Sequence, residues 1–155
     1  MHNRLPTLSR VTQKGFTLIE LLVVIGILAV LLAIVLIAIN PAKQFSQANN
    51  TARSSDVNAI LNAIHQYAAD NKGTLPTGIS TTDAEISDGG ANVCSDLVTE
   101  YLAALPTDPS LNTAPITTCS GTYDTGYNVV RSATDNRITV SAPAAELGVT
   151  ITVTR

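Results

Sequence analysis

Charge is scarce in these 155 residues, at 14%, and what there is lies unevenly. The first fifteen residues hold Arg4, Arg10 and Lys14 and no acid, so they carry +3, while residues 16–155 hold six basic against twelve acidic side chains, a net −6. The arrangements that catalysis needs are also missing. There is no Ser-His-Asp set, no pair of catalytic carboxylates, no phosphate-cradling glycine loop and no metal-spaced Cys/His cluster. No enzyme activity, cofactor or metal is therefore expected. Internal repeats are absent, as are low-complexity tracts beyond Ser/Thr-rich loops. A secretory signal peptide is lacking too, because its apolar region would run about 7–15 residues and end in a small-residue cleavage site.

In its place stands one long apolar run, Phe16 to Ile39, interrupted only by Thr17, Glu20 and Gly26. Its twenty-four residues make roughly 36 Å of helix at about 1.5 Å each, enough to cross a hydrocarbon core of about 30 Å with some tilt. The basic end stays cytoplasmic by the positive-inside rule, which places everything after Ile39 outside the cytoplasm. There the two cysteines, Cys94 and Cys119, can pair and stay paired. The length leaves room for one further domain of ordinary size. Three segments follow: a cytoplasmic leader at 1–15, a transmembrane half-helix at 16–40, and an extracytoplasmic head at 41–155 that includes a second half-helix to about residue 73.

Asn40-Pro41 interrupts the helical pattern, since proline removes a donor and crowds the preceding turn, yet apolar periodicity resumes beyond it. A kink at Pro41 in one long helix is expected. Phe45, Ala48, Ala52, Val57, Ile60, Ile64 and Tyr67 recur mostly at spacings of three and four, with Lys43, Arg53, Asp56, Asn58, Gln66 and Asp70 mainly on other faces. Gly73 suits a C-terminal cap. Thr74 to Gly90 reads as a surface loop. A short helix is expected from about Ser95 through Leu105, ended by Pro106. Residues 127–131, 137–141 and 149–153 show β-branched alternation and suggest three antiparallel strands. Ile138/Val140 and Val149/Ile151/Val153 would give the sheet an apolar face for the Ile60/Ile64/Tyr67 stripe. The fold class is thus α+β, a long kinked N-terminal helix packed on a small three-stranded antiparallel sheet.

Lys14-Gly15-Phe16-Thr17-Leu18-Ile19-Glu20, opening a spanning helix, resembles the class III signal of type IV prepilins and pseudopilins: a basic leader, glycine, an apolar first mature residue and glutamate fifth. An acid inside an uncharged stretch costs roughly 2.5–3.5 kcal/mol at mid-bilayer on insertion scales and is seldom kept without a task. Glycine suits the cut because a peptidase must approach the backbone closely. The resemblance continues through Ala52-Arg53-Ser54-Ser55-Asp56-Val57, Ala63 to Asn71 and Gly73-Thr74-Leu75-Pro76, which look like the family's second half-helix and its exit. Leu105-Pro106-Thr107-Asp108-Pro109 and Gly126-Tyr127 are similar to the turn before the sheet. The resemblance implies the lollipop fold of pilins and a prepilin peptidase cutting between Gly15 and Phe16. It also implies N-methylation of Phe16, a role for Glu20 in assembly, polymerisation through the N-terminal helices, and an assembly platform with its ATPase as partners. The chain departs from the family pattern in two places. Pro41 lies about one turn later than the kink proline of many bacterial pilins, and Ser110 stands where calcium-binding pseudopilins usually carry a tryptophan or another aromatic.

Asp108, Asp124 and nearby carbonyls offer oxygen ligands to Ca²⁺, which takes six to eight. Two carboxylates sixteen residues apart more often cap turns, so no metal site is assigned. His65 has only His2, in the leader, as a second histidine, and reads as a solvated helix residue. Gly26, Ala29 and Ala33 present small residues that let membrane helices approach closely. The reading favoured is a structural subunit of a type IV pilus serving adhesion, surface motility or DNA uptake, membrane-inserted as a precursor and extracellular as a filament. The alternative is a pseudopilin of a type II secretion or competence machine. A third reading, a binding module tethered singly in the membrane, would form no polymer.

Overall fold

The computed structural model describes residues 15–155, so the basic leader with Arg4, Arg10 and Lys14 lies outside the described residues. Contacts divide the chain into two units, one ending at Pro41 and the other running from Ala42 to Arg155.

In the first unit, helix α1 spans Leu18–Ile39. Its 22 residues cover about 33 Å, long and apolar enough to cross a membrane. None of its side chains is buried within the chain. Thr17 starts it from an extended conformation. Asn40 stops it, with φ 46° and ψ 79° in the left-handed region. Asparagine is one of the few residues besides glycine that adopt this region readily. Pro41 then opens a new helix, α2, Pro41–Asp70. Its fixed φ and missing N–H suit the first helical position, where the N–H would have no partner in any case. The sequence suggested one helix bent at Pro41; the structure has two helices with the break at Asn40.

The second unit is built on α2. Gly73, at φ +87°, turns the chain after the helix and donates its N–H to Ala68 O at 2.7 Å. Four strands form an antiparallel sheet in sequence order: β1 Ala84–Ser87, β2 Asp124–Arg131, β3 Ile138–Ala142 and β4 Ile151–Thr154. Register is set by pairs such as Ala84 with Val129, Val129 with Val140, and Val140 with Val153. The additional strand β1 lies in the stretch expected to be loop. It has only four residues, is interrupted between Glu85 and Ser87, and offers one large apolar side chain, the fully buried Ile86, too little alternation to read locally.

Val57, Ile60, Leu61 and Ile64 of α2 share one core with Tyr127 and Val129 of β2 and Ile138 and Val140 of β3. Ile151 and Val153 pack against its margin, whereas Val149 precedes β4 and is half exposed. Near its start α2 departs from the expected stripe. Phe45, Ala48 and Ala52 are exposed, and the row turned inward is Ser46, Asn49, Asn50 and Arg53, because polar loops cover it there. The expected short helix is a single turn, α3, Cys94–Leu97. Thr99, at φ 77°, leads the chain away while its N–H bonds Leu102 O at 2.7 Å, and Leu97, Val98 and Leu105 still reach the core. A disulfide joins Cys94 to Cys119 across 25 residues, with the Cα atoms 5.5 Å apart.

Candidate functional site: the signal segment and the polar network of the head

Gly15, Phe16 and Thr17 lie ahead of α1 and are exposed, Phe16 to 90%. Among the described residues, a side chain added at Gly15 would meet nothing within 4 Å. Thr17 and Glu20 form a reciprocal cap. Thr17 N and Oγ1 donate to Glu20 Oε2 at 2.9 and 2.8 Å, and Glu20 N donates to Thr17 Oγ1 at 3.3 Å. This pairing gives orphan donors at the helix start a partner. Glu20 thus reaches Thr17 within its own chain rather than Phe16, and its Oε1 accepts nothing among the described residues. The T-x-x-E pattern of Thr17 and Glu20 is the local sequence signal for this cap.

The second constellation is centred on Arg53, which is 1% exposed. Its Nε donates to Asp108 Oδ2 at 2.7 Å and its Nη2 to Asp108 Oδ1 at 2.9 Å, a forked pair. Nη1 donates to Glu146 Oε2 at 2.9 Å and to Asn50 Oδ1 at 3.0 Å. Asn50 closes the circuit, accepting from Glu146 N at 2.9 Å and donating to Glu146 O at 2.8 Å. Ser46 and Asn49 also donate to the Glu146 carboxylate. Burial works to raise the Asp108 carboxyl, but the bonds from Arg53 and from Ser110 outweigh it and hold it below the usual carboxylate range. Arg53 and Asn49 lower Glu146 in the same way. Burial raises Asp56, whose Oδ2 accepts from Tyr127 OH at 2.7 Å.

Asp108 is therefore an anchor for Arg53, and Asp124 caps a turn by accepting from Gly126 N at 2.8 Å. Among the described residues neither carboxylate joins a group of three or more His, Cys, Asp or Glu side chains arranged to hold a metal ion. Arg53, expected on an outer face because of its charge, is buried on the inward row, as its spacing of four to Val57 and seven to Ile60 requires. Glu146 and Asn50 carried no local signal. His65, expected to be solvated, is half buried, with Nε2 buried and without a hydrogen-bond partner.

A capped apolar helix long enough to span a membrane, followed in sequence by an α+β head, fits a membrane-anchored precursor. Residues 10–36 match the family model of the prokaryotic N-terminal methylation motif, which is the class III signal of type IV pilins. No curated protein and no solved structure matches the chain. The motif supports a type IV pilin-like or pseudopilin precursor, in which the chain would be a structural subunit processed by prepilin peptidase.

Proposed function

We propose that the chain is a structural subunit of a type IV pilus, serving adhesion, surface motility or DNA uptake. The observation that carries this reading is α1 itself: a long apolar helix with none of its side chains buried, whose first half lies within the methylation motif. Such a helix needs either lipid or copies of itself, and polymerisation exchanges the first for the second. In this reading prepilin peptidase cuts between Gly15 and Phe16 and the new Phe16 amine is methylated. The assembly platform and its ATPase then draw subunits from the membrane, with Glu20 guiding the incoming chain. The filament is a homopolymer outside the cell. Asp108 supports a pilus over a calcium-binding pseudopilin, because its carboxylate is engaged by Arg53 and Ser110 and followed by no aromatic residue. Imaging cells with and without this gene tests the reading. Long surface filaments that vanish on deletion are expected, and filament loss confined to a secretion defect without surface fibres would support the pseudopilin instead.

A further inference from the structure

The core-facing row of β2 runs Thr125, Tyr127 and Val129, all buried, and its next member is Arg131. Alternation along a strand puts this guanidinium on the same face as the core. Its Nε is buried and has no hydrogen-bond partner. The other three arginines of the described residues are engaged: Arg53 with Asp108, Arg137 with Asp135 and Arg155 with Asn62. Arg131 makes no ion pair and no side-chain hydrogen bond among the described residues. Buried polar groups are almost always paired, since desolvation without a partner is costly, so the buried, unpaired Nε of this half-buried arginine calls for a ligand.

The surroundings say which kind. Arg131 lines a cavity of about 540 Å³ at the C-terminal end of α2, together with Thr74, Leu75, Pro76 and Ile79 of the strap that follows the helix and Asn136 of the turn before β3. No aspartate or glutamate is among its lining residues. The strap is held in place by Arg131 N donating to Ser80 O at 2.8 Å and by Thr77 N donating to Asp96 Oδ2 at 3.0 Å. Thr74 and Asn136 make no side-chain hydrogen bonds among the described residues, so a hydroxyl and an amide accompany the guanidinium with capacity unused.

We propose that this cavity binds a uronic acid residue, a sugar bearing one carboxylate. The planar fork of Arg131 matches a carboxylate through two parallel bonds. Thr74 and Asn136, each able to donate and accept, suit ring hydroxyls. Half-buried Leu75, with the accessible edges of the buried Pro76 and Ile79, offers the apolar surface against which the C–H face of a pyranose lies. A bare inorganic anion would use the guanidinium and leave that wall and most of the volume uncontacted. The site does not depend on filament formation, so it is testable on the full chain in detergent micelles whatever the fibre does.

The probe is sodium galacturonate, titrated while the Arg131 Nε–H resonance is followed, with glucose and inorganic phosphate in parallel. Saturable shifts with galacturonate, none with glucose and no displacement by equimolar phosphate are expected. Arg131→Lys keeps the charge without the fork and should bind roughly ten- to a hundredfold more weakly. Thr74→Val, a change in an exposed strap, should weaken binding while the melting temperature holds. Absence of galacturonate binding, equal binding of glucose, or equal competition by phosphate would overturn the assignment. So would undiminished affinity in folded Arg131→Lys.

Discussion

Arg53 on α2 grips Asp108, fifty-five residues later, through two parallel hydrogen bonds of 2.7 and 2.9 Å, with both side chains 1% exposed. The pair fastens the turn before the 3-10 helix at Pro109–Leu111 to the long helix, and Glu146 adds the connection between β3 and β4 to the same guanidinium. Breaking such a buried pair from one side leaves an uncompensated charge and costs about 3–5 kcal/mol.

Asp108→Asn should lower stability at neutral pH by about 3 kcal/mol, since Arg53 keeps Glu146 but loses its forked partner. The loss should depend on pH. The Asp108 carboxyl sits below its usual range in the fold. Its contribution is therefore full above the unfolded value of about 4 and is lost as the pH falls through the lower folded value. Glu146 acts in the same direction, while Asp56 and Glu85, both raised chiefly by burial, act oppositely. The difference between wild type and variant isolates Asp108. Urea unfolding of the full chain in detergent should show a gap that is wide at pH 7 and closes below about pH 4; a gap independent of pH would contradict this.

Replacing both Cys94 and Cys119 with Ala should cost about 3–4 kcal/mol in the chain-entropy account, given the 25-residue separation. That is a large share of the stability of a small head. Thermal melting of wild type with and without reductant, beside the double variant, checks it. Equal melting points throughout would mean the bridge contributes little.

Processing should leave a chain that begins at Phe16 and is one methyl heavier, because the methylation motif spans the bond between Gly15 and Phe16 and that bond is exposed. Intact-mass measurement of sheared fibres reads this directly. Subunits that retain Met1 to Gly15 in the polymer would refute the assignment.

Glu20 presents two roles that a single substitution would confuse, the helix cap with Thr17 and the charge. Glu20→Gln keeps a side chain able to complete the cap and removes the charge. Pairing of the carboxylate with the amine of a neighbouring subunit predicts that Glu20→Gln and Glu20→Ala are both cleaved normally and both enter fibres poorly beside wild type. Incorporation of Glu20→Gln at the wild-type level would show that charge has no part in assembly.

The cysteines, the spanning helix, the later strands and the turn at Gly73 were legible locally, because each rests on residue type or on the spacing of near neighbours. Twenty-odd apolar residues in succession have one structural solution near a membrane, and alternating β-branched residues have few. The bend at Pro41 was read in the right place and in the wrong form, since the left-handed backbone of Asn40 depends on more than the proline that follows. β1 escaped notice because four residues with one buried side chain carry too little periodicity, and only the unpaired edge of β2 makes them a strand.

By itself, then, the sequence determined the long apolar helix, its cap and methylation motif, and the α+β composition of the head, all of which follow from contacts within a few residues. Only the tertiary structure decided that Arg53 is buried, that Asp108 and Glu146 are its partners and that Arg131 is left over beside a cavity. Charged side chains of like appearance differ in burial and pairing solely through which loops meet them, and those loops come from 55 and 93 residues away. Closure over such distances is set by the packing of the whole head, to which no local pattern gives access.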